Sequence, residues 1–214
     1  MLRPNTRTFA FVLATALGTG AFAAGCGSDD NHTAATQADI HAAPTHLRWE
    51  TYRGVPVPVA DEGPTRITGP IATGYAPSPA GAALAALESS VRVSVAGDAD
   101  WPQVGQQLLA AGPGRDRWAI ARAQVSITEP VAPGVAPRVL GYTITSYSTT
   151  RADIDVYTRQ ADNSVTRNST TVIRRGDEWL LDLPTNQDKP VVAAVDAPPG
   201  DMVVLRPPAT GAGR

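Results

Sequence analysis

Cysteine occurs once in this 214-residue chain, at Cys26, and histidine not at all beyond His46. The three histidines are His32, His41 and His46, so the chain from Leu47 onward lacks both residue types. These absences exclude Ser-His-Asp and Cys-His nucleophilic machinery from that body, and zinc sites of the usual ligand set. A lone cysteine also excludes an internal disulfide, so the fold must rest on its core. Charge of one sign is scarce too: 18 Lys and Arg stand against 20 Asp and Glu, with no basic run. That balance argues against nucleic acid or anionic headgroups as the main partner. The longest apolar tract, Phe9 to Ala24, is too short for a membrane-spanning helix and is broken by Gly18 and Gly20. The expectation is no catalytic residue, no cofactor and no metal: a protein that is not an enzyme.

What is present at the start is a three-part export signal. Arg3 and Arg7 precede the apolar stretch Phe9 to Leu17, which ends in the small residues Ala23, Ala24 and Gly25. Removing residues 1–25 leaves 16 basic and 20 acidic residues, a formal charge of −4. The segment Ala23-Ala24-Gly25-Cys26 resembles the lipobox of bacterial lipoproteins. The resemblance implies that Cys26 takes a diacylglyceryl group and becomes the new N-terminus. Two acyl chains give stable attachment. The chain is thus expected on the extracytoplasmic face of the cell membrane, held through lipidated Cys26.

Residues 26–46 are polar and aperiodic and read as a flexible tether. A single globular domain is expected over residues 47–185, followed by a Pro-rich extension, residues 186–214, with a disordered end. Within the body, Ser78 and Pro79 form an N-cap and a first helical residue. The helix they start carries a stripe of Ala80, Leu84, Leu87, Val91 and Val95, beside a small face of Gly81, Ala82, Ala85 and Ala86, and closes at Gly97. A second helix is expected from about Asp100 to Ala111, with Gly112-Pro113-Gly114 as its stop, and a third from about Asp116 to Gln124. Three prolines keep the segment Glu129–Pro137 irregular.

From Arg138 the period changes to two. Ala152, Ile154, Val156 and Thr158 alternate with Asp153, Asp155, Tyr157 and Arg159, the pattern of a half-buried strand. A turn at Asp162-Asn163 leads to a strand over Val165–Arg174, and Arg175-Gly176-Asp177 to another at Trp179–Leu183. In that setting the Arg-Gly-Asp tripeptide is a hairpin turn, not an adhesion motif. Asp153 and Asp155 share the polar face with arginines in reach, which favours solvated ion pairs over an acid–base site. Trp101, Trp118 and Trp179 lie on the apolar sides of their elements and read as core. Trp49 and Tyr52, which no expected element buries, are the candidates for an exposed partner surface.

The pattern Trp49-Glu50-x-Tyr52, Pro58, Gly63-Pro64, Gly74-Tyr75-Ala76-x-Ser78-Pro79-x-Gly81-Ala82-x-x-Ala85 resembles a family of actinobacterial exported proteins and lipoproteins associated with mobile and conjugative elements. Helices followed by meandering antiparallel strands that end in Trp-x-Leu-x-Leu are similar to the nuclear transport factor 2-like (cystatin-like) architecture. That likeness implies a cone-shaped body, in a fold that hosts enzymes, ligand-binding cones and assembly domains. The fold class expected is α+β: a short helical layer, residues 79–125, packed on a curved antiparallel sheet, residues 138–183. Two functions follow. One is a non-enzymatic interaction or accessory module of a cell-envelope or conjugative assembly, with a protein partner. The other is capture of a small apolar ligand in a cavity between sheet and helices, and an open apolar recess in the interior would favour it.

Overall fold

A computed structural model describes residues 38–185 and 191–206 of the chain. Cys26, the export signal, most of the tether and the end of the chain from residue 207 lie outside the described residues.

The fold is α+β, three helices with a mostly antiparallel six-stranded sheet that does not close into a barrel. Its strands are β5 (Arg138–Tyr147), β6 (Arg151–Arg159), β7 (Val165–Arg175), β8 (Glu178–Leu181), β9 (Val192–Val195) and β10 (Val203–Val204). The order is β10-β5-β6-β7-β8, with β9 also on β7. Two register irregularities in β5, between Val139 and Gly141 and between Ile144 and Ser146, supply the bulges that bend a sheet. Turns fall where Asn163 and Gly176 take positive φ, at 69° and 59°.

One long helix, α1 (Pro79–Val95), crosses the sheet. Ser78 accepts the Gly81 amide at 3.1 Å as N-cap. Every residue from Pro79 to Ser89 is buried, so the helix runs through the interior instead of lying on one face of it. That burial is possible because its sides are alanine and glycine, which let strands approach closely. From Ser90 onward burial relaxes, and Ser90, Val91 and Val95 are only half-buried. Against α1 sit Tyr142 and Ile144 of β5, Ala152, Ile154 and Val156 of β6, and Val172 of β7.

The short helices α2 (Trp101–Leu108) and α3 (Pro113–Arg122) flank this core. Gly112-Pro113-Gly114, expected as a stop, instead opens α3 with Pro113 in its first turn. Proline needs no amide partner there, and α2 has already ended at Leu108, short of the expected Ala111, because Leu109 turns extended and bridges Leu181. Trp101 and Trp118 meet edge-on at 6.0 Å, and only a glycine at 105 admits them: a Cβ there would lie 2.4 Å from the Trp118 ring.

Two small hairpins precede α1: β1 (Arg48–Tyr52) with β2 (Val55–Val59), and β3 (Arg66–Thr68) with β4 (Ile71–Thr73). The Val-Pro-Val-Pro-Val run, Pro-rich extended chain by its sequence, forms β2. In an antiparallel pair alternate residues aim their amides at the partner, so Pro56 and Pro58 fall together in the set that does not.

Both ends of the expected body extend further than the sequence indicates. Ile40, Thr45 and His46 belong to the expected tether, but Ile40 packs against the core and Thr45 bonds Glu62 through its amide, 2.9 Å, and its hydroxyl, 2.7 Å. Within the expected extension, β9 and β10 join the sheet, and Leu205 is fully buried. A chain beginning at Gly27 therefore retains every contact described here.

Candidate functional site

The cleft sits where α1 loosens. Beyond Leu87 one side of the helix, Ser90, Val91, Ser94 and Val95, lines a recess, while Val93 and Ala96 stay in the core. The opposing wall comes from Val139 of β5, Val156 of β6 and Val192 of β9. Val55 of β2 and two residues of the irregular segment, Val131 and Pro137, close the side. Val131 is held there by its amide, which donates to the Arg53 carbonyl at 2.9 Å. The recess measures about 310 Å³. No charged side chain lines it among the described residues.

One corner is polar. Thr158 and Thr166 stand directly opposite each other on β6 and β7, their hydroxyl oxygens 2.8 Å apart. The Gln160 amide donates to both, at 3.0 Å to Thr158 and 2.8 Å to Thr166. Thr158 is the fourth member of the buried-face alternation Ala152, Ile154, Val156, Thr158. A polar residue ending an apolar face was the signal for this corner that the sequence held. A second recess, about 470 Å³, opens along β7 between β8 and β9 and shares Ser90, Asn168 and Val192 with the first. The Ser90 hydroxyl between them is buried without a partner among the described residues.

Trp49 and Tyr52 do not form a platform. Three positions apart on β1, they point to opposite faces of a strand, and both are half-buried. Trp49 donates its indole N–H to the Arg206 carbonyl at 2.8 Å, tying β1 to the residues after β10. Tyr52 lies under the Arg92 guanidinium, 4.5 Å from its ring centroid. Burial, ahead of nearby charges, holds its phenol above the ordinary value. Neither contact is legible locally, because the partners are 157 and 40 positions away.

Arg92 belongs to the one ion pair that the described residues bury on both sides. Its Nε donates to Glu88 Oε2 at 2.8 Å, a helical i,i+4 pair with side chains 3% and 0% exposed. Arg92 also donates to the Pro70 carbonyl at 3.1 Å. Burial pushes the Glu88 carboxyl up against the pull of Arg92, and its second oxygen has no partner among the described residues. This cluster lies away from the cleft lining and braces α1 against the β3–β4 hairpin.

The outer-face carboxylates are paired. Asp153 accepts from Arg151 at 3.0 Å and from the Thr171 hydroxyl at 2.6 Å, and Asp155 lies 3.9 Å from Arg167. Trp179 is core at 2% exposure, while Trp101 and Trp118 are only partly covered. Among the described residues no group of three His, Cys, Asp or Glu side chains is placed to hold a metal ion, and no helix is long and apolar enough to cross a membrane.

Fold and recess together define an α+β domain in which a helix crosses a bent sheet and leaves a largely apolar cleft beside it. The chain belongs to a family described as a domain of unknown function, DUF8175, which it matches over residues 14–199. Neither a curated protein nor a solved structure matches it.

Proposed function

We propose that this chain is an extracytoplasmic lipoprotein, anchored through a lipidated Cys26, that captures a small apolar molecule in the cleft between α1 and the sheet. The observation that carries the reading is the recess itself. At about 310 Å³, with walls that are mostly aliphatic but include Ser90, Ser94 and Asn168, and with the Thr158, Gln160 and Thr166 corner, it has the size and lining of a small-molecule site. A well-packed domain leaves few voids larger than a water molecule. The layout of a long helix over a bent sheet supports the likeness to the nuclear transport factor 2-like architecture, whose cones hold ligands. Membership of an actinobacterial envelope or conjugative assembly rests on the motif between Trp49 and Ala85. The interaction-module function draws on the same anchor, but the cleft favours a ligand.

Two measurements test the proposal. In a chain beginning at Gly27, the neutral dye N-phenyl-1-naphthylamine should bind with enhanced fluorescence. Val91→Trp, at a half-buried position on the cleft wall, should weaken it about tenfold or more, the equivalent of two methylenes of lost burial. Unchanged dye affinity in that variant would remove the cleft from the proposal. The anchor is tested separately by mass spectrometry of the mature N-terminus with membrane fractionation. A diacylglyceryl adduct on Cys26 is expected, and Cys26→Ala should abolish it. An unmodified Cys26 still joined to residues 1–25 would defeat the lipoprotein reading.

A further inference from the structure

The polar corner of the cleft has hydrogen-bonding capacity left over. Gln160 Nε2 carries two protons and directs them at the Thr158 and Thr166 hydroxyl oxygens, 3.0 and 2.8 Å away. Those oxygens are themselves 2.8 Å apart. With the amide reversed, both hydroxyl protons would turn to the Gln160 carbonyl and nothing would bridge the two oxygens, so the Nε2 placement is the one that satisfies all three contacts. One threonine proton then bridges the pair. The second threonine's proton and the Gln160 carbonyl have no partner among the described residues, and all three residues line the recess. The corner therefore offers one donor and one acceptor side by side.

The rest of the lining sets the charge of what fits. Val55, Leu87, Val91, Val139 and Val156 line the recess with the neutral Ser90, Ser94 and Asn168, and no cation or anion lines it among the described residues. An ionised head would lose its hydration there without a counter-charge. A hydroxyl group meets both leftovers at once, accepting from the threonine and donating to the Gln160 carbonyl. A carboxylate faces the negative end of that carbonyl, and an ammonium has no use for the threonine proton. The volume lies at the lower end of small-molecule sites, which suits one aliphatic chain or small ring system and not a two-chain lipid.

We propose that the cleft takes a neutral amphipathic alcohol, with its aliphatic body between α1 and the sheet and its hydroxyl against Thr158, Gln160 and Thr166. This rests on the ligand-binding function proposed above.

The test is displacement of N-phenyl-1-naphthylamine from the chain beginning at Gly27 by decanol, decanoate and decylammonium, which share one chain length. Decanol should half-displace the dye at a concentration about tenfold lower than either ion. The double variant Thr158→Val with Thr166→Val should bring decanol to the level of the ions, each displacement being read against that variant's own dye affinity. Gln160→Met, at a half-buried position, should do the same and guards against misfolding of the double variant. A preference for decanoate, equal displacement by all three, or a decanol preference that survives both variants would overturn the alcohol assignment and leave the cleft standing. No dye binding at all would instead overturn the ligand-binding function, and this inference with it.

Discussion

Replacing Glu88 with alanine should cost about 3–5 kcal/mol, because it strands a guanidinium inside the protein. Arg92 is 3% exposed, cannot shed its proton, and among the described residues would keep only the Pro70 carbonyl and the Tyr52 ring as company. Arg92→Met should cost less, since an abandoned Glu88 can take up a proton and become neutral. Its direction with pH follows. The Glu88 carboxyl sits above its ordinary value of 4.5 because of burial, so the stability tied to its protonated form is complete below that value. It is lost as the pH rises through the folded-state value, and the loss should be steeper in Arg92→Met. Joint replacement, Glu88→Leu with Arg92→Met, should restore stability to near or above the parent. Denaturant midpoints at pH 4 and pH 7 read all three variants. A midpoint for Glu88→Ala equal to the parent's would mean that the pair is hydrated and the burial argument wrong.

Trp179→Ala is expected to cost about 3–5 kcal/mol, the range for deleting a large buried aromatic. Trp179 is 2% exposed on β8, and its indole N–H donates to the Ala76 carbonyl at 3.0 Å. Beside it, 6.4 Å away, the ring of Tyr147 lies tilted, and its hydroxyl donates to the Pro77 carbonyl at 3.0 Å. The two rings thus grip residues 76 and 77, immediately before the Ser78 cap. Losing Trp179 should open a cavity and loosen the start of α1 together. Trp179→Phe keeps most of the packing and should cost about 1 kcal/mol for the missing hydrogen bond. Hydrogen exchange at the Ala82 amide, bonded to Ser78, should accelerate more than the global loss accounts for in the alanine variant. Acceleration that only tracks global unfolding would show that the grip on residues 76 and 77 is not local.

Local chemistry was the legible part of this chain. The Ser78 cap, the Gly176 turn, the alternation through Ile154 and the irregular Glu129–Pro137 segment each depend on residues within a few positions of one another. What could not be read depends on partners far along the chain. β1 and β2 hide behind prolines whose missing amides matter only once a neighbouring strand fixes which side is paired. β9 and β10 are short apolar runs that become strands by meeting β7 and β5. Trp49 and Tyr52 look exposed until Arg206 and Arg92 arrive from elsewhere. The cleft was legible only as an expectation attached to a fold likeness, because the gap between Val91 and Val156 depends on how far a helix stands from a sheet. Thr158, polar at the end of an apolar alternation, was the one local residue that pointed into it.

The placing of β8 and β9 end to end along β7 bears on how the protein survives at high local concentration. At 11 residues β7 is the longest strand, and a bare edge of that length invites a second chain to pair with it. Two four-residue strands cover it instead, and the outer side of β8 is partly taken by the Ala110 amide, which donates to Leu181 at 2.9 Å. The opposite rim is the two-residue β10. The β7 rim is thus guarded, whereas β10 meets the ten-residue β5 only at Tyr142 and Gly141 and leaves most of that strand's outer edge without a strand partner among the described residues. At high local concentration the β7 side therefore offers a second chain no continuous backbone edge, and any pairing between copies would run along β5 instead.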